Sequence, residues 1–267
     1  MRTSVRFFIS ILIGGVSFCA NGLELPRGLS HADRQEVVQT IGLGSSEKML
    51  TNPYPLGGYS GFEVGYSMEF INIRDINHLG CAIGASGCPN DHIPDENEFR
   101  FSRFTIGKGL FHDIDLFFSF APPIGGSNIS DYGASIRWAF YQATFLPLTF
   151  SAILSGNRMN IGDEFVAENF SSDLMVGITV DSFSLFFGAG EAWSRGTFMV
   201  YTDPTDPGNG TVPSSDADAG TSGTVTERTQ QTHAFVGFSV EYENLFAAAE
   251  IDHYHDSVYS AKIGLRF

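Results

Sequence analysis

Apolar and polar side chains alternate with a period of two along most of this chain, and this constrains its fold more than any other feature. Between residues 61 and 70 every even position is apolar, and every odd position is small or acidic. The pattern returns in later segments, down to the terminal stretch 259–267. Such alternation is typical of β-strands with one apolar face. The sequence predicts an all-β fold of about ten strands, with 8 or 12 strands as alternatives.

The lengths of the connections indicate how the strands are arranged. Long connections, at about 72–96, 156–171 and 194–230, are separated by short turns such as Asp181–Ser182 and Glu243–Asn244. Transmembrane β-barrels have short turns at one end and long loops at the other. We therefore expect an antiparallel up-and-down transmembrane β-barrel over residues 59–267, closed by pairing of the last strand with the first. The flanks of the third long connection are expected to continue their strands as a hairpin above the membrane.

One predicted strand departs from the regular pattern. Phe99 and Phe101 lie on its odd face, whereas Phe104 and Ile106 lie on its even face. A β-bulge between the two pairs would restore the register. Alternatively, only the second half of this strand faces lipid.

Residues 1–22 have the pattern of a secretory signal peptide: Arg2 and Arg6, then a short apolar run, then small residues. Residues 23–58 precede the barrel, and Ser30 with Asp33 predicts a capping box that starts a short helix ending near Gly42. A ten-stranded barrel is narrow, so this helix is expected at the periplasmic mouth, with both chain ends periplasmic. A role as a plug is the alternative.

The charge of the chain limits its partners. It carries 15 Lys and Arg against 30 Asp and Glu, a net charge of −15. This acidity excludes nucleic acid as a partner, because nucleic-acid binding depends on basic side chains. The 25 Phe residues need apolar surroundings, and outer-membrane lipid is the predicted partner of the aromatic faces. No motif for a cofactor or a metal is found.

The polar faces of the strands would point into the barrel, where charges must be paired. One interpretation of these residues is an ion network that fills and stiffens the lumen. The other is an acidic, narrow, cation-preferring pore or transporter. The predicted lumen charge network consists of Glu63, Glu69, Asp113, Asp115, Arg137, Asp173, Glu241, Glu250, Lys262 and Arg266.

The chain ends on a strand with Ser260, Leu265 and a terminal Phe267. This ending resembles the C-terminal signal of Gram-negative outer-membrane β-barrel proteins, although Lys262 occupies the usual glycine position. The resemblance implies recognition by the barrel-assembly machinery and a location in the outer membrane. It implies no specific functional family.

Two cysteines, Cys81 and Cys88, lie in the first long connection. Export to an oxidising compartment favours a disulfide between them. A zinc site with His78 and His92 is the alternative, but the spacing of the cysteines differs from that of a zinc knuckle.

The chain lacks the motifs of known catalytic sites. A surface hydrolase would need paired acids and an Asp–His couple at the outer rim. Asp91 with Asp95, and Asp256 with His255, are the candidates, and Asp252 is a further acid to test with them. We expect no enzyme, and instead a structural or interaction role through extracellular loops that contact an unknown ligand. The pore and the hydrolase are the alternatives.

Overall fold

The computed structural model describes residues 25, 29–76, 79, 97–122, 128–143, 145–162, 164–200 and 223–267. These residues form a closed antiparallel barrel in which each strand pairs with its neighbours in the sequence and β1 pairs with β10. The ten strands are β1 (Phe62–Asn72), β2 (Glu98–Gly109), β3 (Ile114–Ala121), β4 (Ile129–Gln142), β5 (Leu148–Ile161), β6 (Phe165–Val180), β7 (Phe183–Val200), β8 (Gly223–Tyr242), β9 (Leu245–His253) and β10 (Ser257–Arg266). The predicted fold and strand number are confirmed.

The two ends of the barrel differ in their connections. At one end, here called the turn end, β6 joins β7 through Asp181–Ser182 and β8 joins β9 through Glu243–Asn244, as predicted. Asp181 and Glu243 have φ values of 53° at these tight turns. The connections 73–97 and 201–222 belong to the opposite end, here called the loop end.

The alternation of the sequence corresponds to the two faces of the barrel wall. In β1, Glu63 and Glu69 are buried and face the lumen, whereas Phe62 is exposed on the outside. In β2 the pairing with β1 runs without interruption from Phe99 to Lys108, so the bulge interpretation is wrong. Phe99 and Phe101 are buried inside the barrel and Ile106 is exposed, which confirms that only the second half of β2 has an apolar outer face.

Two predicted loops are shorter than expected. The prediction of a loop over 156–171 is wrong, because β5 continues to Ile161 and β6 begins at Phe165. In this region the apolar side chains, including Met159 and Phe165, point into the barrel, so the strands lack the apolar outer face that marks the others. The loop predicted over 194–230 is flanked by strand as expected, since β7 reaches Val200 and β8 begins at Gly223.

The segment before β1 contains helix α1 (His31–Val37), a π-helical turn (Val38–Leu43) and, just before β1, a 3₁₀ turn (Gly58–Ser60). The predicted capping box is present: the Asp33 amide donates to Ser30 Oγ at 3.3 Å and the Ser30 amide donates to Asp33 Oδ2 at 2.9 Å. Among the described residues, no helix is long and apolar enough to cross a membrane.

This segment lies inside the barrel, and we call residues 29–56 the plug. The expectation that 23–58 sits at the periplasmic mouth is therefore wrong. Val38 and Ile41 are fully buried, and α1 lies at the loop end, where Arg34 Nε donates to Glu227 Oε1 at 3.0 Å. From there the plug runs through the lumen to β1 at the turn end. The plug therefore enters the barrel at the loop end. The N-terminus itself lies outside the described residues, so the expectation of two periplasmic chain ends stays a prediction.

An apolar cluster fixes the helical part of the plug. It joins plug side chains to inward side chains of the wall near the loop end. Its members include Leu29, Val37, Val38, Ile41 and Leu43 from the plug, and Ile71, Phe99, Phe101, Met159, Ile161, Phe165, Phe198 and Val258 from the wall. The inner face of the wall is thus apolar at this level, which is why the helical part of the plug packs in the lumen here.

Inward glycines make room for the plug, and one of them gives a test of the packing. A Cβ atom at Gly196 would lie 2.3 Å from Val38 Cγ2 and 2.8 Å from a ring carbon of Phe165. We expect Gly196→Ala to lower the free energy of unfolding by about 1–3 kcal/mol through overpacking. In the double variant with Val38→Ala the loss should be smaller than the sum of the two single losses. Urea unfolding of the detergent-folded chain measures both.

The matched control is Gly156→Ala, where the added Cβ meets no atom closer than 3.3 Å. We expect this change to alter stability by less than about 0.5 kcal/mol. Equal losses at positions 156 and 196, with no rescue by Val38→Ala, would contradict the packing of the plug against β7.

Candidate functional site

The lumen is the candidate functional site, and its polar contacts hold the non-helical half of the plug. Close to the turn end, Arg137 Nη1 donates to the Asn52 carbonyl at 2.6 Å and Nη2 donates to the Tyr54 carbonyl at 2.9 Å. Arg137 Nη2 also lies 2.6 Å from Asp115 Oδ2. The plug amide of Leu56 donates to Asp115 Oδ1 at 3.1 Å. Wall side chains thus satisfy backbone groups that have no partner in a strand or helix.

Neighbouring wall residues extend this turn-end layer. Arg266 Nη2 donates to the carbonyls of Tyr54 and Pro55 at 2.8 and 2.6 Å. Lys262 Nζ lies 2.8 Å from Glu63 Oε1, and Glu63 Oε2 accepts a hydrogen bond from the hydroxyl of Thr51 at 2.5 Å. A second plug side chain also donates to a wall carboxylate: Asn52 Nδ2 donates to Glu241 Oε2 at 3.0 Å. Acids and cations are balanced in this layer: Glu63, Asp115 and Glu241 face Arg137, Lys262 and Arg266.

Further inside the barrel, Arg103 is fully buried and connects the wall to the plug. Its Nη1 lies 2.5 Å from Glu69 Oε1 and its Nε lies 2.5 Å from Asp131 Oδ2. Its Nη2 donates to the Ser45 carbonyl, which also accepts from Asn157 Nδ2 at 2.8 Å. One guanidinium therefore satisfies two acids and the plug backbone together.

On the other side of the plug, His233 lies between two aspartates. Its Nε2 is 2.8 Å from Asp173 Oδ1, and its Nδ1 is 2.9 Å from Asp252 Oδ1. The ring stacks on Tyr254 with a centroid separation of 4.6 Å. Lys48 Nζ donates to the Tyr254 hydroxyl at 3.1 Å and lies 3.7 Å from Asp252 Oδ2. A second set of plug and wall charges is thus joined through a histidine.

A small cavity of about 10 Å³ lies beside the plug in the described part of the lumen. It is lined by Glu47, Lys48, Asp173, His233, Glu250 and Asp252 among others. This volume holds roughly one water molecule. The plug and the inward side chains therefore fill the lumen at this level.

The structure brings together most of the predicted lumen charges, but not all of them. Asp113 lies in the turn between β2 and β3 with a φ of 57° and is exposed. The prediction that it belongs to the lumen charge network is therefore wrong. Glu250 is buried without an ion pair among the described residues. The sequence reasoning missed Glu47, Lys48 and Asp131, because it assigned 47 and 48 to a segment outside the barrel and began strand four after 131.

The other predicted sites have separate outcomes. Cys81, Cys88, His78 and His92 lie outside the described residues, as do Asp91 and Asp95. The proposed couple of Asp256 and His255 lies in the turn between β9 and β10 at the loop end, where His255 is exposed and Asp256 is half-buried. Asp252 faces the lumen instead. Ser260 is buried in the lumen, and Leu265 and Phe267 are exposed on the outer face; their role as an assembly signal stays a prediction.

The outer surface of the wall has an apolar band that ends below a polar zone at the loop end. On β6 the outward positions are apolar from Val180 to Leu174, and Phe170 is the last large one. Ten residue steps at about 3.4 Å, tilted by about 40°, give a band about 25 Å high. Above it lie exposed ion pairs, in which Arg158 and Arg195 contact Glu168 at 3.4 and 3.9 Å. A band of this height matches the hydrocarbon layer that transmembrane barrels span.

No protein-family model and no curated protein matches this chain. Among solved structures, the N-terminal β-barrel domain of Pseudomonas aeruginosa OprF is similar with a TM-score of 0.35 at 12% identity, covering 79% of this chain and 99% of that one. The Yersinia pestis attachment invasion locus protein Ail, in complex with the heparin analogue sucrose octasulfate, gives 0.31 at 11% identity, with 78% and 97% covered. Neisserial surface protein A gives 0.24 at 7% identity, with 77% and 94% covered. At such scores the similarity carries no argument about function.

The contacts of Arg103 give a prediction with a control on the same strand. We expect Arg103→Ala to lower the free energy of unfolding by about 3–5 kcal/mol, because it leaves Glu69 and Asp131 buried without their cation. Arg100 is exposed and pairs with Glu98 at 2.6 Å, so Arg100→Ala should cost less than about 1 kcal/mol. Urea unfolding of both variants in the same detergent measures the difference. Similar values for the two variants would mean that Arg103 does not hold the plug.

Proposed function

We propose that this chain is an integral outer-membrane β-barrel whose lumen is closed by its own N-terminal segment. The observation that carries the proposal is the plug, whose backbone carbonyls are bound by Arg103, Arg137 and Arg266 of the wall. The apolar outer band supports a place in a bilayer, because in hydrocarbon only a closed barrel leaves no strand edge unpaired.

The orientation follows from the lengths of the connections. Transmembrane barrels have short periplasmic turns and long extracellular loops, so the loop end faces the outside of the cell. Helix α1 then lies at the extracellular mouth, and the strands of the hairpin β7–β8 extend beyond the apolar band. The plug enters the lumen from the outside and leaves it at the periplasmic end.

The role that best fits this arrangement is a rigid platform that displays loops, and not an open pore. A filled lumen resists deformation of the wall, because its side chains are tied to the plug on several strands. The connection 201–222 contains four Asp residues and no Lys or Arg, a composition that favours a cationic ligand. Neither a cofactor nor a catalytic role is part of this proposal.

The alternative is a narrow cation-preferring pore, and the excess of acids in the lumen favours it over an anion pore. It requires that the plug leave the lumen or shift within it. Both the apolar cluster at the loop end and the arginine contacts at the turn end oppose such a movement. Ion conductance therefore separates the two functions.

Conductance of the purified mature chain in planar bilayers tests the proposal. We expect a heat-modifiable band on electrophoresis, which indicates a folded barrel, and no stable ohmic current above that of the protein-free bilayer. A variant lacking residues 29–56 should conduct if its barrel closes, because its lumen then contains water. A stable cation-selective current from the intact chain would contradict the closed barrel and support the pore.

A further inference from the structure

The balance of charge differs between two regions of the lumen. Near the turn end acids and cations are equal in number, as described above. The central cluster instead contains six carboxylates, those of Glu47, Glu69, Asp131, Asp173, Glu250 and Asp252, all with little exposure. Its cations are Arg103, Lys48 and, when protonated, His233. Even with His233 charged, the cluster has three more acids than cations, and burying uncompensated charge is strongly unfavourable.

Within this cluster, three unpaired oxygen atoms lie on adjacent strands. In the register of the sheet Glu69 of β1 is opposite Ser260 of β10, and Ser260 is opposite Glu250 of β9. All three side chains are at least 96% buried. Within the described part of the chain, Glu69 Oε2, Ser260 Oγ and Glu250 Oε2 have no hydrogen-bond partner, although buried polar atoms in native proteins nearly always have one.

Protonation of the carboxylates would remove the uncompensated charge, but it would not provide partners for all three unpaired oxygen atoms. A proton on Glu250 removes its charge, but it leaves Glu69 Oε2 and Ser260 Oγ without a hydrogen-bond partner among the described residues. A bound cation removes the charge and also satisfies lone pairs on all three oxygens. Two carboxylates and a hydroxyl are hard oxygen ligands, which calcium and magnesium prefer.

We propose that a hard divalent cation, with calcium as its probe, binds between Glu69, Ser260 and Glu250 on the lumen side of β1, β10 and β9. No set of three or more His, Cys, Asp or Glu side chains in the described part of the chain is arranged to hold a metal, so the hydroxyl of Ser260 is an essential member. The cavity beside Glu250 has room for roughly one water as a further ligand. The site lies inside the barrel and does not depend on the function of the loops.

The test uses the full mature chain folded in detergent, first in EDTA and then in about 5 mM CaCl₂. This calcium concentration is above the dissociation constants of weak calcium sites, about 10⁻⁴–10⁻³ M. NaCl keeps the ionic strength equal. We expect a higher unfolding temperature in calcium, read from the heat-modifiable band, and binding of one radioactive calcium ion per chain. Glu250→Gln should abolish the response to calcium. In EDTA this variant should be more stable than the parent, because an uncompensated charge is removed.

Glu168→Gln is the matched control, since Glu168 is exposed on the outer face; it should keep the full response to calcium. If Glu250→Gln does not fold, Ser260→Ala keeps every charge and should weaken calcium binding on the order of 10-fold or more. Equal unfolding temperatures in calcium and EDTA, with no bound calcium, would overturn the proposal. Stabilisation by acid alone in EDTA would also overturn it, since protons would then neutralise the cluster.

Discussion

The buried backbone of the plug is the constraint on which the rest of this structure depends. Residues 45–57 run through the lumen as neither strand nor α-helix, so their carbonyl and amide groups need partners from the wall. Arginine is suited to this task because its planar fork donates several hydrogen bonds in fixed directions. Arg137 and Arg266 share the Tyr54 carbonyl, and Asp115 accepts from the Leu56 amide. The wall is therefore specific for one path of the plug.

This constraint explains why the lumen is so rich in charge. Arg103 and Arg137, which bind plug carbonyls, must themselves be neutralised inside the barrel, and carboxylates of the wall do this at 2.5–2.6 Å. Acids such as Glu69, Asp115 and Asp131 are therefore partners of the arginines that hold the plug. Glu69 and Glu250 retain oxygens outside this arrangement, which is what distinguishes them from the acids of the turn end.

The barrel wall was predictable from the sequence, whereas the plug inside it was not. Period-two alternation and the alternating connection lengths gave the barrel, its closure and the inward position of residues such as Glu63 and Arg137. The prediction rests on apolar side chains that face lipid and polar side chains that face the lumen. At the loop end the plug reverses this rule, because Phe99, Phe101, Met159 and Phe165 point inward and share an apolar cluster with the plug. The alternation alone therefore predicts a bulge or a loop at these residues.

Signals of the plug were nevertheless present in the sequence. Phe99 and Phe101 on the polar face of an otherwise regular strand required an apolar partner inside the barrel, and the apolar flank of the helix at Val37, Val38 and Ile41 offered one. Inward glycines at 177 and 196 left the space in which Pro53 and Val38 now lie. The assumption that ten strands leave no room for a helix was the step that failed, since small wall residues widen the lumen locally.

A disulfide between plug and wall tests the central claim most directly. A Cβ atom at Gly42 would lie 3.3 Å from Ser194 Cβ, close to the separation of bridged cysteines, about 3.5–4.5 Å. In a chain without its three native cysteines, Gly42→Cys with Ser194→Cys should oxidise to an intramolecular disulfide in the folded barrel. Gly42→Cys with Ser184→Cys, a buried position near the turn end, should not. Failure of the first pair to bridge, or equal bridging by both pairs, would contradict a plug held in this position.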